Sequence, residues 1–374
     1  MKLFTGNIRR PLFAKLLASQ FLLLLALFTS AKAPHLTLKE ITTPPPRIIR
    51  ACCSFGVDLS YAGIPFAKRS DIISIDQIGE HGYMGGKEEG NGIIYTKRGG
   101  FIDLGHMRDC ADWTAYLYKL IQSKQGLANP VLITLGTEGG TKTLELEIPT
   151  EIDSTEIIQL AGKIAYELSL WHEIATWFGV SYVPMLPERY SSFSPEDLYS
   201  NLLGVELGIN ALKSELEYND AMTQLIDQMM STLDAVTTLE ETYSAMEEVE
   251  NFWWTRTKSL PSKKILIERY TETNCYLLPW LVPSEINILP AYKLMKPEDS
   301  LSDLYKLKIK LNHKFPLKDI IPEHEKRTIT QNDFERFVVY INHDLAHLTE
   351  KILRQSIRKQ KRKDIKSDFD EPSS

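Results

Sequence analysis

The sequence predicts an α+β protein dominated by helices, in which short strands and a β-hairpin pack with a buried central helix. Three observations carry that expectation. Residues 153–179 read as one long helix that is apolar nearly all round, and such a helix is normally buried. Residues 130–149 read as a hairpin whose second strand, Leu144-Glu-Leu-Glu-Ile148, alternates apolar and acidic side chains, so that one face is wet. Helical periodicity returns at 103–123, 194 onward, 215–250 and 328–361, and outweighs the few strand-like runs. The chain has 374 residues, 43% apolar and 25% charged, a globular balance that fits one large domain or two ordinary ones.

From the N-terminus, residues 1–33 have the form of a secretory signal peptide. Lys2, Arg9, Arg10 and Lys15 make a basic start, Leu16 to Thr29 an apolar run, and Ala31-Lys-Ala33 a small-x-small cleavage site. The run is shorter than the roughly 18–20 residues of a membrane span, and an uncleaved anchor is the alternative. No other run is long enough to span once it is cleaved. Cleavage removes five basic residues and no acid, leaving 38 basic residues against 49 acidic ones. The expectation is an exported protein, periplasmic or secreted. The acidic balance argues against a nucleic-acid partner.

Residues 34–47, with Pro44-Pro-Pro46, read as an extended Pro-rich leader. A single globular domain is expected over 48–355, and a charged, disordered tail over 356–374. Asp71 to Ile75 reads as a strand, Glu80 to Gly92 as a Gly-rich loop, and Gly92–Lys97 and Phe101–Leu104 as paired strands. The loop lacks the ending and spacing of a phosphate loop. Cys52, Cys53, Cys110 and Cys275 either form two bridges, from 52 and 53 to 110 and 275, or stay reduced.

Polar residues then gather in two places. Asp103-Leu-Gly-His-Met-Arg-Asp-Cys-Ala-Asp-Trp113 opens a helix directly after a strand, where binding residues collect. His106 and Asp109 are three apart and share a face, while Arg108 and Asp112 can pair. The central helix, with Asp153 and Glu156 as a capping box and Gly179 as its stop, carries Glu167, His172 and Glu173 near its end. Charged groups in an apolar helix cost several kcal/mol unless paired or ligated. Ser194-Pro-Glu-Asp197 reads as a clean helix start, which accounts for Glu196 and Asp197 without a site. Ser191 to Ser194 lacks a Gly-x-Ser-x-Gly elbow. The acidic helices of 215–250 pack on Leu225, Met229, Met230 and Leu233, and Trp253-Trp254 closes the core there. Lys264–Ile267 and Leu304–Leu311 read as strands. In the final helix His343 and His347 have metal-like i,i+4 spacing but fall off the apolar stripe, which fits a solvated face.

The pattern Phe-Ile-Asp-x-x-His-x-Arg-Asp-x-x-Asp-Trp at 101–113, with Trp-His-Glu-Ile-x-Thr-Trp-Phe-Gly at 171–179 and Ser-Phe-Ser-Pro-Glu-Asp-x-Tyr-Ser-Asn at 192–201, resembles an uncharacterised family of exported bacterial proteins of unknown function. The resemblance spans about residues 48–290. It implies export and a bacterial source, and no activity. From the residues themselves the leading expectation is a metal-assisted hydrolase of the cell envelope, acting on an unknown envelope substrate or protein. His106, Asp109, His172 and Glu167 are the candidate ligands of a divalent metal, best suited to zinc, and Glu173, Arg108 and Asp112 the candidate catalytic groups. The alternatives are a non-catalytic envelope protein with a buried polar network, and a thiol hydrolase using Cys110 with a histidine.

Overall fold

The capping box read at Asp153 and Glu156 starts the longest helix among the described residues. Each side chain accepts the other's backbone N–H, at 2.8 and 3.0 Å. The computed structural model describes residues 32–50, 55–56, 59–60, 68–69, 72–127, 130–181, 189, 191–255, 265–272 and 274–347. Within them the elements run α1 (Leu38–Thr42), β1 (Ile93–Thr96), β2 (Gly100–Asp103), α2 (Leu104–Gln122), β3 (Val131–Thr137), β4 (Gly140–Leu146), α3 (Ser154–Trp177), α4 (Asp197–Lys213), α5 (Tyr218–Thr232), α6 (Leu239–Glu248), β5 (Tyr305–Leu311), β6 (Thr328–Thr330) and a last helix, α7, over 334–347. Two-residue strand pairs, such as Trp254–Thr255 with Ile265–Leu266, connect them. Helix makes up 45% and strand 15%, so the fold is α+β with helices in the majority.

Helices α2, α3 and α4 form the centre. The close approach of α4 to α2 rests on Gly204 and Gly208. A Cβ at Gly204 would lie 1.9 Å from the Met107 carbonyl oxygen, and one at Gly208 2.9 Å from the Ala111 backbone. Small residues one turn apart thus let the two backbones touch. On α3, Ile157, Leu160, Ala161, Ile164, Leu168, Trp171 and Ala175 are all buried, as a helix apolar on every side requires.

The hairpin β3–β4 belongs to a four-stranded antiparallel sheet in the order β6-β5-β4-β3. Leu307 lies opposite Leu144 and Tyr305 opposite Leu146, so β4 and β5 turn one continuous apolar face inward. Lys142 shares that inner face, opposite Ile309, and is buried with it. Trp171 of α3 fixes the sheet tip to the bundle. Its Nε1 donates to the Glu138 carbonyl at 2.9 Å, and its ring lies between Phe315 and Phe334, each at 5.4 Å.

Three sequence expectations change. Ile75–Gln77 is a 3-10 turn, and only Ile72 of the expected strand bridges to Ile93. Thr328-Ile-Thr330 is a strand paired to β5, because its β-branched residues continue the sheet, and helix α7 starts at 334. The Pro-rich leader is not simply extended. Thr37 and Glu40 close a capping box on α1, Tyr116 Oη donates to the Ile41 carbonyl, and Trp113 Nε1 to the Pro46 carbonyl. Residues 1–31, Cys52, Cys53 and the tail 356–374 lie outside the described residues, while Cys110 and Cys275 are free thiols. No helix of the described residues is long and apolar enough to cross a membrane.

Candidate metal centre

Three helix ends meet at one buried point. The first turn of α2 brings His106, the last turns of α3 bring His172 and Glu173, and the start of α4 brings Glu196 and Asp197. His106, His172 and Glu173 each offer a ligand atom, and these atoms lie within 4.8 Å of one another. In a filled tetrahedral zinc site, with bonds of about 2.0–2.1 Å, ligand atoms stand roughly 3.4 Å apart. For an ion to be held, these atoms would have to close by at most about 1.4 Å. Two imidazoles and one carboxylate, with a fourth position left for water, is a ligand set of catalytic zinc sites.

Two of the three side chains, His172 and Glu173, are held by hydrogen bonds. His172 Nδ1 is 2.7 Å from Glu138 Oε1, and Lys142 Nζ donates to Glu138 Oε2 at 2.6 Å. Burial alone would lift the Glu138 carboxyl, but the Lys142 cation and the His172 contact outweigh it and hold it well below the usual carboxylate range. Glu138 is thus an ionised acceptor, which makes Nδ1 of His172 the donor and puts the ring's lone pair on Nε2. A carboxylate behind a ligating imidazole is the usual orienting partner. His106 differs: its Nδ1 lies 3.4 Å from both Asp103 Oδ2 and Asp197 Oδ1 and is hydrogen-bonded to neither. Neither nitrogen of this buried ring has a hydrogen-bond partner. A buried imidazole without a hydrogen bond on either nitrogen carries a desolvation cost that the carboxyl groups at 3.4 Å offset only in part.

Glu173 is fixed by a strained turn. Phe193 N–H donates to Glu173 Oε2 at 2.8 Å, and Ser192 Oγ donates to the Glu173 carbonyl at 2.8 Å. Phe193 is fully buried with φ at 55°, the left-handed region that side chains with a Cβ avoid. Such a conformation costs on the order of 1–3 kcal/mol and collects at functional sites. Its effect here is to aim one N–H at a candidate ligand.

The neighbourhood is rich in acids. Glu196 and Asp197, which the sequence reading assigned to helix-start chemistry, are both buried beside the cluster. Burial, with the Asp103 and Glu173 carboxylates, pushes Glu196 up to about 8. Burial and Glu173 likewise raise Asp197 well above the ordinary range. Ser194 supplies their polar contacts, its N–H to Asp197 at 2.7 Å and its hydroxyl to Glu196 at 2.6 Å. Buried carboxylates at 103, 138, 173, 196 and 197 outnumber the buried cations Lys142, Arg269 and Arg47 around them.

Other residues singled out in the sequence lie apart from this cluster. Glu167 is five residues before His172, about 140° round the helix. It accepts from Tyr305 Oη at 2.6 Å with Lys163 at 3.6 Å, and burial takes it up to about 7. Asp109 does not join His106. It receives Ile49 N–H at 2.9 Å, Arg50 N–H, and Arg50 Nη1 at 3.0 Å, with burial raising it to about 6. Asp112 accepts from Arg50 Nη1, Met84 N–H and Tyr218 Oη, and lies 3.0 Å from His81 Nε2. Arg108 donates to the carbonyls of Ile78, Gly79 and Gly90. These three side chains tie the 46–50 segment and the Gly-rich loop to α2. Cys110 donates to Asn201 Oδ1, and burial pushes its thiol up to about 12, so it holds no thiolate at neutral pH. His343 and His347 are exposed and pack on each other, with ring centroids 4.6 Å apart. Glu138 and Arg269 had no motif to announce them, because they come from a sheet tip and a loop far apart in sequence, whereas Asp103 opened the 103–113 cluster.

Residues 40–283 match the family described as "Protein of unknown function (DUF4056)", and the chain belongs to that family. The matched stretch holds the whole cluster from Asp103 to Arg269. No curated protein and no solved structure matches the chain.

Proposed function

We propose that this protein is an exported hydrolase of the cell envelope that uses one divalent cation held by His106, His172 and Glu173. The observation that carries the reading is His106, a buried imidazole with no hydrogen-bond partner, in ligand reach of a second imidazole and a carboxylate. Two nitrogens and one oxygen suit zinc. The crowding of buried carboxyl groups at 103, 138, 173, 196 and 197 supports a cation there, since a dication would favour the ionised forms that burial now suppresses at Glu196 and Asp197. A divalent cation held there would supply an acidified water for attack on an acyl or phosphoryl centre, and Asp103 and Asp197, each 3.4 Å from His106 Nδ1, are the carboxyl groups that flank it.

Export rests on the basic start, apolar run and Ala31-Lys-Ala33 of the first 33 residues. The competing structural network has one observation in its favour, the paired Glu138, His172 and Lys142. Elemental analysis separates the two readings. The hydrolase requires about one zinc per mature chain, lost in His172→Ala and His106→Ala but kept in Asp109→Asn, together with ester or phosphoester cleavage that a chelator abolishes and zinc restores. Wild-type protein with no stoichiometric metal, and no gain in thermal stability from added zinc, sinks the hydrolase and leaves the network.

A further inference from the structure

Arg269 follows the two-residue strand Ile265–Leu266 and points into the core. Only 8% of the residue is exposed. A guanidinium has five N–H donors and no acceptor. Here Nη1 donates to the Ser192 carbonyl, while the buried Nε has no partner. Among the described residues no carboxylate comes within ion-pair distance of it. Asp197, Glu173 and Glu196 act on it only from farther away. Burial lowers it to about 10, so it is still a cation at neutral pH. A buried cation with one hydrogen bond and no ion pair is costly, and a protein keeps one where something binds it.

Its location ties it to the candidate centre. Ser192, which receives its hydrogen bond, is the residue whose hydroxyl holds the Glu173 carbonyl, and the next residue, Phe193, holds the Glu173 carboxylate. Tyr270 N–H in turn donates to the Phe193 carbonyl at 2.9 Å. The guanidinium also lies over Trp177 at 5.8 Å. Trp177 is four residues past Glu173 and so on the same face of α3. Arg189 stacks on the same indole at 4.5 Å, bringing a second cation to that wall. Arg189 is half exposed and already pairs with Asp344 at 2.9 Å, whereas Arg269 has no such anion. An arginine fork binds a carboxylate or phosphate through two parallel hydrogen bonds.

We propose that Arg269 recognises an oxyanion on the substrate, so that the bond cleaved at His106, His172 and Glu173 belongs to a molecule carrying a carboxylate or phosphate next to the reacting centre. This inference rests on the hydrolase reading for the word substrate, but the anion site is testable without it.

The test follows thermal stability and calorimetric binding with inorganic phosphate and, separately, acetate. Zinc-loaded and zinc-free full-length mature protein are both used, and metal content is measured on every sample. Wild type binds one of the two anions saturably in both metal states, and the anion that binds names the class. Arg269→Gln weakens that binding at least tenfold with metal content unchanged. Arg269→Lys, which keeps the charge but loses the fork, weakens it as well, and serves if the Gln variant does not fold. Three results overturn the proposal: neither anion binds wild type, Arg269→Gln binds as wild type does, or binding requires zinc and therefore reports the metal alone. Anion binding that depends on Arg269 in a protein that takes up no zinc when zinc is added upholds the site and removes the hydrolase.

Discussion

Replacing Glu138 by Gln tests the centre through a residue that touches no metal. The carboxylate lies 2.7 Å from His172 Nδ1 and accepts from Lys142 Nζ at 2.6 Å, through different oxygens. An amide of the same shape has one oxygen and one NH2, so it serves only one of these donors. With the oxygen toward Lys142, the NH2 faces Nδ1, and the imidazole must carry its proton on Nε2, which then cannot ligate. With the oxygen toward His172, the buried Lys142 meets a donor and loses its counter-charge, at about 3–5 kcal/mol. The first outcome is the cheaper one. The expected result is a 10–100-fold loss of zinc affinity, the range for such orienting partners, equivalent to about 1.4–2.7 kcal/mol at 1.36 kcal/mol per tenfold. The double variant Glu138→Gln with Lys142→Met removes the competing cation, so the amide oxygen turns to His172. Affinity should then recover to within about tenfold of wild type. The assay is competition against a chromogenic chelator, with urea unfolding of the metal-free proteins as the folding control. A folded Glu138→Gln protein that binds zinc as tightly as wild type refutes the orienting role, and with it the assignment of Nε2 as the ligand atom.

His106→Ala and His172→Ala should each abolish zinc binding, and the double variant should add almost nothing, because residues of one site act as a unit. Independent, additive losses in titration calorimetry would break that unit. Asp109→Ala should leave metal content unchanged yet lower unfolding stability by about 1–3 kcal/mol for each buried donor it strands, Ile49 N–H and Arg50 N–H among them. A folded variant that loses its zinc would return Asp109 to the ligand set. Glu89 gives a pH signature. Burial alone would raise it, but the Arg50 hydrogen bond and Gly82 N–H bring it down from 4.5 to about 2. A depressed carboxylate contributes stability that is present above 4.5 and is lost as pH falls toward 2. Urea midpoints of Glu89→Gln should therefore fall less steeply across that interval, and equal slopes would deny Glu89 the role. Mass spectrometry of exported protein should find Pro34 first, and soluble protein that keeps Met1 would reject the cleavage.

The sequence exposed the elements whose signals are local. The capping box at Asp153 and Glu156, the hairpin of 131–146 and the paired strands at 93–103 form where spacing and turn residues place them. The strand at 328–330 was hidden, because three residues pair only with a partner already in a sheet. The same limit governed the site. His172 and Glu173 stood out because they break an apolar helix, and a buried exception is visible in one dimension. Asp109 misled because three-residue spacing says which side chains share a face, but not which chain segment lies across from it. Arg50 and the 49–50 backbone occupy that place.

Glu196 and Asp197 mark the point where a correct local argument ended too early. Ser194-Pro-Glu-Asp is a sound helix start, and Asp197 does accept the Ser194 N–H. That bond uses one of its oxygens. The other lies 3.4 Å from His106 Nδ1, a contact set by how α4 lies on α2 and not by its own first turn. The close approach passes through Gly204 and Gly208, two residues with no chemistry of their own. A side chain at either would push the helices apart and draw the carboxylate away from the imidazole. The glycines of α4 therefore belong to the candidate centre as much as its ligands do. Gly204→Ala, which would force its Cβ to 1.9 Å from the Met107 carbonyl, should weaken zinc binding from a distance, by displacing α4 rather than by removing a donor.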